Sequence, residues 1–171
     1  FVREDALKIL EFQRLVKHLN GLSSEEFIKR LASLGTISTL NTPRKPAKAH
    51  EITVYLNNTC YSLVLDSTRI DENHPTHSLD AELLTQWILD PILGISDLKT
   101  SEDIAFVPGN TPFVKVLNQV NDGSFKVAFF LFPIPMSAVK KVADHGMYMP
   151  PKSTWVEPKL RSGLTIMDIH D

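Results

Sequence analysis

Val127-Ala128-Phe129-Phe130-Leu131-Phe132 is the longest apolar run in the chain, and Pro133 and Pro135 stop it. A short run without polar alternation is the pattern of a strand covered on both faces. It falls far short of the roughly 20 residues that a membrane helix needs. Upstream, Ile104 to Val107 reads as a strand, and Thr111 with Pro112 opens a helix through Val120 that Asn121-Asp122-Gly123 terminates. Downstream, Ser137 to His145 has helical amphipathic spacing with Gly146 at its end, and Leu164 to Ile169 reads as a final strand. This β-α-β-α-β order buries its central run most simply in a mixed sheet flanked by helices.

The first half adds a hairpin. Glu51 to Leu56 and Thr59 to Leu65 are rich in β-branched and aromatic residues on either side of Asn57-Asn58, a pair that tolerates the positive φ of a two-residue turn. Ser23 followed by Glu26 is a capping box for a helix from Leu22 to Leu34, with Leu22 able to staple onto Phe27. Ser78 is placed to cap a helix through Leu89, ended by Pro91, with Asp80 and Glu82 in its first turn. Leu7 to Leu10 fits either a short strand or the front of a helix reaching Leu19. The predicted class is α+β: a hairpin plus the β-α-β-α-β segment, in a single domain over residues 1–171.

With 18 Lys+Arg against 20 Asp+Glu, a net charge of −2 and 43% hydrophobic residues, the chain has an ordinary globular composition. At this length a fold hides roughly 70% of the unfolded surface, enough for one well-filled core. The charge supplies no general field for nucleic acid or anionic lipid. Cys60 is the only cysteine, so an intrachain disulfide and a thiolate zinc cluster are excluded and a cytoplasmic location is expected. Phe1 stands where a start methionine would, with no basic start and apolar run behind it, which reads as a fragment whose visible residues hold no signal peptide. The patterns G-x-x-x-x-G-K-[ST], G-x-G-x-x-G, H-E-x-x-H and G-x-S-x-G are all missing. These residues therefore hold no P-loop nucleotidase, dinucleotide dehydrogenase, zincin or α/β-hydrolase signature.

Met149 to Leu164, MPPKSTWVEPKLRSGL, carries the densest chemistry. Pro150, Pro151 and Pro158 stiffen it, so Lys152, Lys159 and Arg161 can be held together at small entropic cost. Ser153, Thr154 and Ser162 add hydroxyls, Gly163 permits close backbone approach, and Trp155 can anchor the loop. Such a set suits a phosphate or carboxylate; the plain alternative is a rigid crossing loop whose charges are solvated or paired with Glu157. Asp71, His74, His77 and Asp80 have a spacing that can hold zinc, but in a turn-rich segment they read as turn and capping residues, and no metal is expected. Cys60 has no neighbour in sequence to activate it, so it reads as a structural thiol. Arg44, Lys45, Lys48 and His50 lie in a proline-broken loop without stacking aromatics, which reads as a solvated basic face. His145 sits where a cation meets the negative end of a helix.

MPPKSTWVEPKLRSGL resembles the C-terminal signature of the family called domain of unknown function 1015. FQRLVKHLNGLSSEEF, VYLNNTCYSL, SLDAELLTQWILDPILGI and IAFVPG agree with that family in the same order. Members are longer, so the resemblance implies that residues 1–171 are a C-terminal portion whose partner is a missing N-terminal half. The family's upstream Asp-Gly-His-His-Arg-Tyr-like run is absent; Asp144-His145-Gly146 is not it. The residues matching the signature are Lys152, Ser153, Thr154, Trp155, Glu157, Lys159, Arg161, Ser162 and Gly163, with Arg14 matching the arginine that precedes the first helix.

The family looks related to the ParB and sulfiredoxin-like superfamily, which contains nucleotide-binding proteins and a free-serine kinase. The resemblance thus implies binding of a small phosphorylated molecule or nucleotide, linked to serine metabolism by kinase-like phosphoryl transfer. Two other expectations compete with it. One is a non-catalytic regulatory module whose signature loop locks two halves of a longer protein. The other is ParB-like nucleic-acid binding, which the charge arithmetic disfavours.

Overall fold

The computed structural model describes residues 7–158. β1 (Lys8–Leu10) and β2 (Phe12–Val16) come first among the described residues, so the stretch toward Leu19 begins as two strands and not as a helix. α1 (Ser24–Ala32) follows, then β3 (Gly35–Thr39), β4 (Glu51–Leu56) and β5 (Thr59–Leu65). Next come α2 (Asp80–Leu84), β6 (Ile104–Pro108), α3 (Phe113–Asn121), β7 (Val127–Phe130), α4 (Met136–Asp144) and β8 (Trp155–Glu157). The expected final strand, Leu164 to Ile169, lies outside the described residues.

The chain is α+β, as its sequence predicts. Six strands form one sheet in the order β3-β5-β4-β7-β2-β6, and β1 pairs β8 in a separate two-stranded ribbon. Each described pairing is antiparallel. β6 and β7 are joined through α3 and run the same way, but β2 lies between them, antiparallel to both. The apolar run is therefore central: Phe129 and Phe130 are fully buried, one on each face of β7. Phe129 joins the larger core under α1 and α2, and Phe130 joins the smaller one under α3.

Local signals explain most boundaries. Asn57 and Asn58 both take positive φ, 48° and 59°, and close the β4–β5 hairpin as expected. Ser23 accepts from the Glu26 N–H at 3.2 Å while Glu26 accepts from the Ser23 N–H at 2.8 Å, the expected reciprocal cap. Ser23→Ala is expected to lower the melting midpoint by the equivalent of about 1 kcal/mol. An unchanged melt would show that the cap adds nothing to stability. Ser78 does not cap α2: its hydroxyl donates to the His74 carbonyl and Leu79 holds the N-cap position. Beyond α2 the chain widens into a π-helical turn, Thr85–Leu89, which carries the apolar run on to the expected end before Pro91.

Candidate functional site

β2 is buried along its whole length, yet it carries an arginine at its centre. Alternation sends Leu15 into the core under α3, while Arg14 shares the opposite face with Phe106 and Phe129, its partners on β6 and β7. Arg14 is 1% exposed. Nη1 donates to the Phe12 carbonyl at 2.6 Å and Nη2 to the Lys152 carbonyl at 3.1 Å; Nε is buried with no acceptor among the described residues. The guanidinium lies 5.6 Å from the Phe106 ring centroid. Burial depresses its pKa to about 10, against the opposing pull of the Asp80 and Glu11 charges. The sheet thus holds a cation that carbonyls satisfy in part and that no described carboxylate directly pairs.

The proline-stiffened loop closes over this point. Lys152 takes φ 52°, which turns its carbonyl to Arg14, and its Nζ sits 5.5 Å from the Phe12 ring centroid. Trp155 packs edge-on against the same ring, with centroids 5.7 Å apart. β8 holds that arrangement through its pairing with β1, where Trp155 faces Leu10. Arg14, Lys152 and Trp155 therefore converge around Phe12. The other signature residues are engaged elsewhere: buried Ser153 donates to the Pro150 carbonyl, and Glu157 accepts from Asn110 at 2.6 Å and from the Trp155 indole at 3.0 Å. Thr154 is half-buried between them. Lys159, Arg161, Ser162 and Gly163 lie outside the described residues.

The basic loop is not a solvated face, because it is pinned to buried carboxylates. Lys45 donates to Glu11 at 2.7 Å and to the Gly109 carbonyl at 3.0 Å. Arg44 donates to Glu51 at 2.6 Å, and Glu51 also accepts from the Ser62 hydroxyl and the Ala47 N–H, each at 2.6 Å. Burial pushes the Glu51 pKa up, but Arg44, Ser62 and Ala47 outweigh it and hold the carboxyl at about 2. His50 places its backbone N–H and Nδ1 each 2.9 Å from Asp80 Oδ1, and its Nε2 lies 3.0 Å from Glu72. The Asp80 hydrogen bond raises the His50 pKa against the effect of burial, with the Asp80 and Glu72 charges adding to it. Protonated His50 stabilises this link up to the ordinary imidazole range, and the stabilisation is lost as pH rises through the raised value. Lys48 stays exposed. Sequence spacing hid these pairs because Glu11 and Asp80 sit far along the chain from the cations that meet them.

The remaining candidates are structural here. His74 and His77 stack with centroids 3.5 Å apart, and His74 Nδ1 accepts from the backbone N–H groups of Thr76 and His77. Asp80 turns to His50 instead. Cys60 is buried on β5, where desolvation pushes its pKa up. His145 follows α4 with Nδ1 2.7 Å from the Lys141 carbonyl, the helix-end position expected for it. No helix of the described residues is long and apolar enough to cross a membrane.

Fold and site define a small α+β domain whose antiparallel sheet buries an arginine beneath a stiffened loop. Residues 1–82 match the model of the family described as "Protein of unknown function (DUF1015)", the one the sequence resembles. The loop at 149–158 lies beyond the matched stretch. No curated protein matches. Solved structures that are similar include a mutant free serine kinase in complex with AMP, at 13% identity and TM-score 0.49 over 89% of this chain and 55% of that one. A conserved hypothetical protein from Pyrococcus furiosus is similar at 13% and 0.48, over 89% of this chain and 56% of that one. C-terminally truncated SbnI from Staphylococcus aureus is similar at 15% and 0.47, over 91% and 52%. This chain spans about half the length of those structures.

Proposed function

We propose that this protein binds a small phosphorylated ligand where the 149–158 loop meets β2. The observation that supports it is Arg14: a fully buried guanidinium whose Nε donor has no acceptor, and which has no direct carboxylate partner, among the described residues. A desolvated cation of this kind is costly alone and is stabilised by an entering anion. Arg14 and Lys152 would neutralise the phosphate, with Lys159 and Arg161 adding charge. Ser153, Thr154 and Ser162 would orient it, Gly163 would allow close approach, and Glu157 would pair a cation or take a proton. The finer reading makes the ligand a nucleotide and the reaction kinase-like phosphoryl transfer in serine metabolism, and it rests on the family resemblance alone. In that reading the chain is the C-terminal half of a cytoplasmic protein.

Trp155 reports on this site, and Trp87→Phe removes the other indole. In that background, phosphoserine, ADP, ATP or phosphate is expected to change the Trp155 emission saturably. Arg14→Gln and Lys152→Ala should each weaken the effect at least about tenfold, roughly 1.4 kcal/mol. Affinity unchanged in a folded Arg14→Gln protein, or no response to any of the four, would overturn the proposal. A second reading has its own support: both bonded Arg14 nitrogens donate to carbonyls, one of them in the loop, which is what a structural lock needs. It expects Arg14→Gln to lower stability with no ligand response in either protein.

A further inference from the structure

Lys17 and Lys126 extend β2 and β7 by one residue beyond the Val16–Val127 pair, and the Lys126 N–H donates to the Val16 carbonyl at 2.7 Å. Both lysines line one cavity on the α3 side of the sheet, an arrangement of like charges that is unfavourable without a counter-ion. The cavity, of about 360 Å³, lies between them and the end of α3 and is lined also by Asn57, Asn58, Asn121 and Gly123. No carboxylate of the described residues lines it. Asp103, just before β6, accepts from the Lys17 N–H through its carbonyl, but its carboxylate faces His18 at 3.3 Å.

The cavity also presents donors. The buried Tyr55 hydroxyl donates to Asn121 Oδ1 at 2.8 Å, which leaves the Asn121 amide N–H groups without an acceptor among the described residues. Lys126 makes only a long 3.4 Å contact with Asn57 Oδ1, and Lys17 Nζ has no partner among the described residues. Two uncompensated cations and an oriented amide around an acid-free cavity form a site for several acceptor oxygens.

We propose that this cavity is a second anion site, separate from Arg14, for a small molecule carrying a phosphate group or paired carboxylates. An anion bridging Lys17 and Lys126 turns their repulsion into attraction, and the asparagine amide fixes its orientation.

The test uses the whole chain, ¹⁵N-labelled, titrated with pyrophosphate and separately with citrate at constant ionic strength. Saturable shifts are expected at the Asn58, Asn121 and Gly123 amides with at least one probe. Lys17→Ala/Lys126→Ala, which removes only exposed side chains, should weaken them at least tenfold while its spectrum stays folded elsewhere. Arg14→Gln should leave them unchanged, so failure at Arg14 does not count against this cavity. Response to pyrophosphate alone would assign a phosphate ligand, and response to citrate alone a polycarboxylate. Shifts that chloride reproduces at equal ionic strength, shifts that survive the double substitution, or no shift with either probe would overturn the proposal.

Discussion

Phe129→Ala is expected to lower the stability of the protein by about 3–5 kcal/mol, the largest loss from a single substitution that its core predicts. Phe129 is fully buried on β7, flanked by Arg14 on β2 and Val54 on β4, and meets Phe27 of α1 edge-on with centroids 6.4 Å apart. Alanine removes the whole ring from the junction of the sheet and α1. Backbone hydrogen bonds on both sides fix the strand, so the hole cannot close by collapse. Urea denaturation of both proteins measures the loss, read from the midpoint at an unchanged slope. A loss under about 1.5 kcal/mol would mean that β7 is not the centre of the larger core.

Glu51→Gln is the second large effect, and it depends on pH. The depressed pKa of Glu51 stabilises the folded state above the unfolded value of 4.5, and that stabilisation is lost as pH falls toward about 2. The shift corresponds to about 3 kcal/mol, reduced to roughly 2 kcal/mol by screening around the part-exposed Arg44. At pH 7 the variant should therefore be less stable by about 2 kcal/mol, and the two stability curves should converge as pH falls through about 2. Parallel curves across the acid range would show that the folded carboxyl is not depressed and that Arg44, Ser62 and Ala47 do not stabilise its charge.

Local chemistry made part of this fold legible. The Ser23 cap, the Asn57-Asn58 turn, the Pro112 helix start and the apolar run at Val127 each depend on residues within a few positions of one another. The strand at Gly35–Thr39 was not legible, because GTIST carries no apolar alternation strong enough to mark it. Nor was the pinning of the basic loop, since Lys45 and Glu11 meet only after the sheet has formed. At the candidate site the loop chemistry was readable, and so was Arg14 as a residue of interest. Its complete burial was not, because a strand that alternates a charge among apolar residues ordinarily turns that charge to water. The lysine pair at the other end of β2 depends wholly on strand register, which the sequence does not state.

The position of β2 bears on how the chain is made. It is made before both of its neighbours in the sheet, β6 and β7, which come from much later in the sequence. As it leaves the ribosome, this strand has apolar side chains on both faces and two open edges, and the residues that cover them have not been translated. Pairing across so long a stretch makes closure slow and leaves the nascent segment prone to association with other chains. A truncation that ends before residue 127 removes β7, and β2 then has a partner on one side only. Such a product should need a chaperone to stay in solution, whereas the whole chain should refold from denaturant unaided.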